Sequence, residues 1–363
     1  MSKAAELAKI GEVATNGQIG GRRNMVINGA MQVDQRGATV TASGYSVDRF
    51  KITKTAMDNL VIAVTQDTDT PSEFTTALKL AVTTEESAQA VDELLDIRHI
   101  IEAQNLQHLE FGTSTAKKLT LSFWVRSSTT GKYSLLFLLD DDTRSNLQSY
   151  TISTANTWEY KTITIDGDTT GVIDNNSGIG MSIIWTLSAG TNFTGTPHAG
   201  WGAYSATEDH AHSDMVDFAA VDDGTFHITG VQLEVGSQAT PFEHRSFGEE
   251  LALCQRYYYF RGGGGAASIL GNGGYTANTQ VDHIVNFPTT MRAAPSLVQA
   301  SGTNYYNATS ANGTDHLDDF VLHGSTIYSA LLYNNSDASG TAGRYARLNV
   351  AGADGSIAFN SEL

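Results

Sequence analysis

The alternation of apolar and polar side chains in KLTLSFWVRSS, residues 118–128, is the feature that most limits the possible folds. Side chains two positions apart share one face of a β-strand, so the pattern predicts a strand with one buried face. The apolar face consists of Leu119, Leu121, Phe123 and Val125. The polar face consists of Thr120, Ser122, Trp124 and Arg126. Such a strand needs a second apolar layer to cover it.

Strand-like runs recur along the first two thirds of the chain. Residues 78–82, 160–165 and 227–235 have this texture, and turn clusters such as DGDTTG separate such runs. The segment IRHIIEAQ, 97–104, fits a strand or a helix, and its β-branched isoleucines favour a strand. Many strands at this spacing are typical of a β-sandwich or barrel, so we expect an all-β chain.

The segment TPFEHRSFGEELALCQRYYYF, 240–260, interrupts this texture. Ser246 and Glu249 have the spacing of a capping box, which predicts a helix over about 246–258. Its apolar face would consist of Phe247, Leu251, Cys254 and Tyr258. Cys254 is therefore expected to be packed and inert, and the YYYF run is expected to pack between two β units. The glycines at 262–265 then predict a hinge.

These signals divide the chain into four parts. Residues 1–23 are expected to form a short helix and a tether, and residues 24–245 a β domain. The connecting helix and hinge would occupy 246–261, and a second, smaller β domain 262–363.

Charge and cysteine content exclude several classes of partner. The net charge of −17, without a basic stripe, argues against nucleic acids and anionic membranes. The single cysteine allows no intrachain disulfide, which fits folding in a reducing cytosol. No apolar run is long enough to span a bilayer or to form a signal-peptide core, so we expect a soluble protein without Sec-type export.

Five blocks of the chain resemble a group of bacteriophage virion proteins, usually called tail-fibre or structural proteins. The blocks are RNMVINGAMQVDQRG (23–37), YSVDRF (45–50), QNLQHLEFGTSTAKKLTLSFWVRSSTTGKY (104–133), SYTISTANTWEYKTITIDGDTTG (149–171) and ITGVQLEVGSQATPFEHRSFGEELALCQRYY (228–258). They occur in the family's order. The MRAAPS turn, 291–296, and the closing SEL are similar to the ends of such fibres.

The resemblance implies a jelly-roll β-sandwich similar to carbohydrate-binding modules, with a short N-terminal helix, a connecting helix and a smaller C-terminal β domain. It also implies a place on the virion, after assembly in the host bacterial cytoplasm, often as a homotrimer. The N-terminal segment would then attach the fibre to other virion proteins or form a trimer seam, and host surface polysaccharide would be the external partner.

Aromatic residues are the first candidates for contact with a glycan. A sugar presents C–H faces ringed by hydroxyls, so an aromatic ring beside hydrogen-bonding groups suits it. Trp124 and Arg126 share one strand face, and Trp201 and Tyr204 lie in the glycine-rich segment 199–207. These four are the candidate glycan-binding residues, although a structural role, such as Trp124 lying under a loop, stays open for each.

The other two tryptophans are expected to be structural. Trp185 aligns with Met181, Ile183 and Leu187 at two-residue spacing, which predicts a core position. Trp158 begins a strand after a turn, and its position in the resembled family suggests a lid.

Metal sites have only weak candidates. His210 and His212 would point the same way on a strand, and Asp166 and Asp168 lie in a carboxylate-rich turn that could hold Ca²⁺. Ser177 stands where a calcium loop needs Glu, which rules out an EF-hand. We therefore expect no cofactor, with structural Ca²⁺ as the alternative.

No GxSxG, HExxH or phosphate-loop motif is present, so we expect no enzymatic activity. The predicted function is that of a phage virion fibre protein that recognises host surface glycans during adsorption. One alternative is a head fibre or decoration protein with a purely structural role. Another is a polysaccharide depolymerase, because the many carboxylates could include a glycosidase pair.

Overall fold

The computed structural model describes residues 23–37, 39–195, 198–206, 209–263, 268–352 and 355–363. These residues form two compact units. The first extends to Glu250 and includes Leu363, and the second comprises Leu251–Glu362. The predicted N-terminal helix lies outside the described residues. The described chain is almost entirely β, as the alternation predicted.

The first unit contains fourteen strands in the described ranges. They are β1 Gly44–Tyr45, β2 Phe50–Thr55, β3 Val61–Asp67, β4 Ala77–Thr84, β5 Leu94–Glu102, β6 Leu119–Ser127, β7 Gly131–Leu139, β8 Arg144–Ile152, β9 Glu159–Ile165, β10 Ile179–Ala189, β11 Thr194–Gly195, β12 Gly202–Ala203, β13 Ala211–His212 and β14 Thr225–Val235. Short 3-10 helices occur at Ala103–Leu109 and Thr191–Phe193.

Two antiparallel sheets make this unit a jelly-roll β-sandwich. One has seven strands in the order β1-β2-β5-β10-β7-β8-β12, and the other has five in the order β3-β4-β14-β6-β9. The chain repeatedly changes sheet, for example from β5 to β6, to β7, and from β8 to β9 and β10. Strands adjacent in space are therefore often distant in sequence.

The apolar faces of the two sheets meet in one core. The predicted inward face of β6 is confirmed, because Leu121, Phe123 and Val125 are fully buried. Trp185 of β10 is also fully buried, and its ring lies edge-on to Phe123 at 5.8 Å between centroids. The 97–104 segment forms most of β5, so the preference for a strand was correct there.

The helix predicted over 246–258 is shorter than expected. Helix α1 spans Phe247–Gln255, and its capping box is present: Ser246 N–H donates to Glu249 Oε2 at 3.1 Å, and Glu249 N–H donates to Ser246 Oγ at 3.3 Å. Cys254 is buried as predicted, whereas Phe247 is 57% exposed. The apolar face was therefore wrong at Phe247, because the first residue of a helix need not share the packing of later turns.

The residues after α1 form a strand rather than a helix. Strand β15 spans Tyr258–Gly263, so the assignment of the YYYF run to helical spacing was wrong. Backbone pairing with a strand near the C-terminus supplies the hydrogen bonds that a longer helix would have made. Gly262 and Gly263, predicted as part of a hinge, belong to this strand, and residues 264–265 lie outside the described chain.

The second unit is also β. Its remaining strands are β16 Ile269–Ala277, β17 Gln280–Asn286, β18 Ser296–Gln299, β19 Tyr306–Ser310, β20 Gly313–Leu317, β21 Val321–Ser325, β22 Ser329–Asn334, β23 Tyr345–Val350 and β24 Ser356–Asn360. Three strands form the sheet β15-β24-β18, and seven form the sheet β20-β19-β23-β16-β17-β22-β21. A core that includes Tyr306, Phe320, Leu348 and Phe359 is buried in this unit.

Helix α1 is too short and too polar to cross a membrane, and within the described ranges the chain has no other helix that could do so.

Candidate functional site

The outer surface of the five-stranded sheet carries a cluster of partly exposed aromatic side chains. We call this cluster the aromatic face, defined by Trp124, Arg126, Trp158, Tyr160 and His227. Trp124 of β6 lies directly opposite Tyr160 of β9, with ring centroids 5.3 Å apart. Tyr160 is 45% exposed, and Trp124 is half-buried. Two rings are thus available to a ligand from solvent.

A returning segment covers the remainder of this sheet surface. After β14 the chain folds back, and Thr120 Oγ1 donates to Gly236 O at 2.9 Å. Thr240 Oγ1 donates to Glu234 Oε2 at 2.7 Å. Thr120 and Ser122, predicted to share an open polar face with Trp124, are therefore buried. The open part of the surface begins at Trp124.

A glycine positions Trp124. Gly230 interrupts the pairing of β14 with β6 and has φ +62°, a conformation that favours glycine. A Cβ at this position would lie 2.6 Å from Phe74 Cζ and 3.1 Å from Trp124 Cδ1. Phe74 is held in turn by Phe242, edge-on at 5.0 Å. The side of the Trp124 ring near β14 is therefore packed.

Polar groups adjoin the rings of the aromatic face. Asp69 accepts hydrogen bonds from Arg126 and, at 3.3 Å, from Trp158 Nε1. The Trp158 ring lies edge-on to His227 at 6.0 Å. The structural role predicted for Trp158 stays open, because this half-buried ring borders the same surface as Trp124 and Arg126.

His227 is a neutral group within this cluster. Burial and the nearby Arg126 guanidinium lower the pKa of His227 to about 4. Its side chain is 3% exposed, and Nε2 lies 3.6 Å from Asp67 Oδ2. At neutral pH the ring therefore offers hydrogen-bonding nitrogens without adding a charge.

Trp201 lies elsewhere, at a cleft on the open side of the sandwich. The cleft has a volume of about 390 Å³ and lies between the start of β8 and the segment after β9. Trp201 Nε1 donates to Asp166 O at 2.7 Å, and its ring lies edge-on to Phe111 at 5.7 Å. Trp201 is therefore half-buried and tied to the cleft wall, with a polar lining that includes Asn146 and Gln148.

Tyr204 is separated from Trp201 and lies on the outer surface of the seven-stranded sheet. It packs against an apolar patch of Leu136, Leu147 and Ile184. Its hydroxyl pairs with His210 Nδ1 at 3.1 Å. Tyr204 thus fixes its segment to the sheet, and the four predicted glycan-binding residues do not form one site.

The weak metal candidates have other partners. Asp166 pairs with Lys118, and Asp168 accepts two hydrogen bonds from Arg144 at 2.5 and 3.1 Å. His210 Nε2 lies 3.3 Å from Asp96 Oδ2. The ring of His212 is not drawn into the same contacts, and burial lowers its pKa. Throughout the described ranges, no three His, Cys, Asp or Glu side chains are grouped so as to hold a metal ion.

Comparison with known proteins gives structural likeness only. No protein-family model and no curated protein sequence matches the chain. The enzymatically active domain of bacteriophage CBA120 tailspike protein 4 is similar over 58% of this chain, with 14% identity and a TM-score of 0.32. This chain covers 21% of that tailspike structure.

Carbohydrate-binding modules are among the other similar structures. A CBM4 structure is similar over 58% of this chain and 99% of its own, with 11% identity and a TM-score of 0.29. The family 11 carbohydrate-binding module from Clostridium thermocellum, in complex with a β-1,3-1,4-mixed-linked tetrasaccharide, is similar over 53% and 91%, with 10% identity and a TM-score of 0.28. At TM-scores this low the likeness carries no argument about what this chain binds.

Sequence reasoning found one half of the aromatic face and missed the other. Trp124 and Arg126 were identified from strand alternation, whereas Tyr160, His227 and Asp69 were not. Tyr160 alternates with Thr162 and Thr164 in YKTITI, which marks it as outward-facing. The missing information was the register that places Tyr160 opposite Trp124.

Proposed function

We propose that this chain is a phage virion fibre protein that binds host surface glycans through the aromatic face. The observation that carries the proposal is the pair of partly exposed rings, Trp124 and Tyr160, bordered by hydrogen-bonding groups on the same surface. The five sequence blocks that resemble phage virion proteins support the place on a virus particle.

The chemistry of the face suits a sugar chain. Aromatic rings make apolar contact with sugar C–H groups, and directed polar groups then fix the orientation. Trp124 and Tyr160 supply the rings, and Arg126, Asp69 and Trp158 supply polar groups held by one another. Because β-strands and mutual contacts fix these side chains, little conformational entropy is lost on binding.

The carboxylates near the face favour binding without hydrolysis. A glycosidase general acid needs a raised pKa. Burial raises the pKa of Asp67, but the backbone N–H of Asp69 and the Lys79 ammonium outweigh burial and hold it below its usual value. Asp69 is engaged by Arg126. These carboxylates are suited to holding the face together, so we expect no cleavage of the bound glycan.

A glycan array probed with the purified full chain tests the proposal. Wild-type protein is expected to bind a defined set of bacterial surface glycans, and Trp124→Ala is expected to lose about tenfold or more, which is about 1.4 kcal/mol. Tyr328→Ala is the matched control, since Tyr328 is an exposed aromatic of the second unit, 64% exposed. Retained binding in a folded Trp124→Ala protein would reject the aromatic face.

The assembly state and the alternatives need separate measurements. A trimer predicts a solution mass three times the 38.8 kDa of one chain. If the bound polysaccharide keeps its chain length after long incubation, the depolymerase alternative fails. If imaging of the particle shows every copy wedged between capsid subunits, the glycan-receptor proposal fails and the purely structural alternative stands.

A further inference from the structure

The second unit contains a pocket of its own, with a volume of about 300 Å³. Side chains of β15, β16 and β17 line it, as do backbone atoms of a glycine. The residues that bear on its chemistry are Tyr259, Arg261, Gly271, Asn272, His283 and Asn286. A pocket of this size, with one aromatic ring and a few polar groups, is at the small end of ligand sites.

A buried histidine nitrogen in this pocket has an unmet hydrogen bond. His283 is 2% exposed, and its Nδ1 lies 2.9 Å from Asn272 O. A carbonyl oxygen only accepts, so Nδ1 carries the proton. Burial lowers the pKa of His283, which keeps the ring neutral and leaves Nε2 with a bare lone pair. Among the described residues Nε2 has no hydrogen-bond partner.

Gly271 keeps the space beside this nitrogen open. A Cβ at Gly271 would lie 2.9 Å from His283 Cε1, and the φ of +138° also favours glycine. The same point lies 3.5 Å from Arg261 Nη2 and 3.7 Å from His283 Nε2. A small ligand group near this point would therefore contact both side chains.

The two nitrogens have opposite hydrogen-bonding requirements. His283 Nε2 accepts, whereas the Arg261 guanidinium only donates, and it has five N–H groups, one of which bonds to Leu270 O. A hydroxyl group satisfies both, because it donates one hydrogen bond and accepts others. A carboxylate only accepts, so it would place a lone pair against that of His283.

We infer that this pocket binds a neutral sugar residue, one hydroxyl of which donates to His283 Nε2 and accepts from Arg261. The Tyr259 ring contacts the C–H groups of the sugar, and the Asn272 and Asn286 side chains border the remaining hydroxyls. The inference rests on the proposed glycan-binding function and adds a second site, in the second unit, with a preference for neutral over acidic sugars.

Saturation-transfer NMR on the full chain tests the inference, with methyl hexosides at millimolar concentration and the matching methyl glucuronide as probes. The measurement is made in a Trp124→Ala background, which removes the contribution of the aromatic face. His283→Asn is then added, because the Asn amide can still donate to Asn272 O but has no atom at the Nε2 position. Asn286→Trp, a change at an exposed rim residue, fills the pocket without touching the core. Tyr328→Ala is the control.

The inference predicts a methyl hexoside signal in the Trp124→Ala background that exceeds the glucuronide signal and falls at least tenfold in both pocket variants. If His283→Asn does not fold, Asn286→Trp alone decides. No hexoside signal in the Trp124→Ala background, or one that Asn286→Trp leaves unchanged, overturns the inference. Equal signals from hexoside and glucuronide overturn the hydroxyl assignment. The proposed function fails separately, if the wild-type chain binds no glycan on the array.

Discussion

Trp124 and Tyr160 form a cross-strand pair on the outer surface of the five-stranded sheet, with ring centroids 5.3 Å apart and ring planes at 49°. The pair joins β6 to β9, the edge strand of that sheet. Cross-strand aromatic pairs stabilise a sheet. The same two rings therefore serve both the edge of the fold and the proposed binding surface.

Replacing Tyr160 separates these two roles. Tyr160→Ala is expected to lower the free energy of unfolding by about 0.5–1 kcal/mol, as for loss of a cross-strand aromatic contact. Tyr160→Phe keeps the ring and should retain that stability. Urea unfolding measures both variants, and a Tyr160→Ala protein as stable as wild type would show that the ring contact contributes nothing.

Gly230 should tolerate no side chain. Gly230→Ala forces a residue with a Cβ into a left-handed conformation and places that Cβ against Phe74, so we expect a loss of about 1–3 kcal/mol in unfolding free energy. Gly248→Ala in helix α1 is the control, since a Cβ there meets nothing within 4 Å. The result to look for in urea unfolding is a large gap between the two variants, and equal stabilities would refute the packing described around Trp124.

His227 makes stability depend on pH. Its folded pKa of about 4 lies below its ordinary value of 6.5, so between these values the unfolded chain binds the proton more readily. Stability is therefore greatest above pH 6.5 and falls as the pH falls toward 4, by on the order of 2–3 kcal/mol for this group. His99 and His283 add to the same trend, because burial also lowers the pKa of each.

The His227→Gln variant isolates this contribution. Its melting temperature should fall less steeply than that of wild type between pH 7 and pH 4.5. Parallel pH profiles for the two proteins would mean that His227 is not the neutral, buried group described above.

The ion pair between Arg144 and Asp168 should be costly to break from one side. Arg144→Ala leaves the Asp168 carboxylate, 2% exposed, without its cation, and we expect a loss of roughly 3 kcal/mol. Lys118→Ala breaks the exposed pair with Asp166 and should change stability little. If both variants have the same urea midpoint, the burial assigned to Asp168 is wrong.

Strand alternation predicted the core of the first unit well. Phe123 and Trp185 were placed in the core from two-residue spacing alone, and both are fully buried. Such local patterns are strong because one face of each strand must leave water. The capping box at Ser246 is equally local, and the structure confirms it.

Information that depends on distant parts of the chain was harder to predict. The segment after β14 buries Thr120 and Ser122, and no local signal marks that contact. Helix α1 ends before Tyr258 because β24, about a hundred residues later, pairs with it. The aromatic face likewise depends on the register of β6 with β9, which joins residues far apart in sequence.

The most direct test of the aromatic face is the affinity of the full chain for one glycan identified on the array, measured by titration calorimetry for wild type, Trp124→Ala and Tyr328→Ala. The account predicts an affinity at least tenfold weaker for Trp124→Ala and unchanged for Tyr328→Ala, with all three proteins folded. An unchanged affinity in folded Trp124→Ala would contradict it.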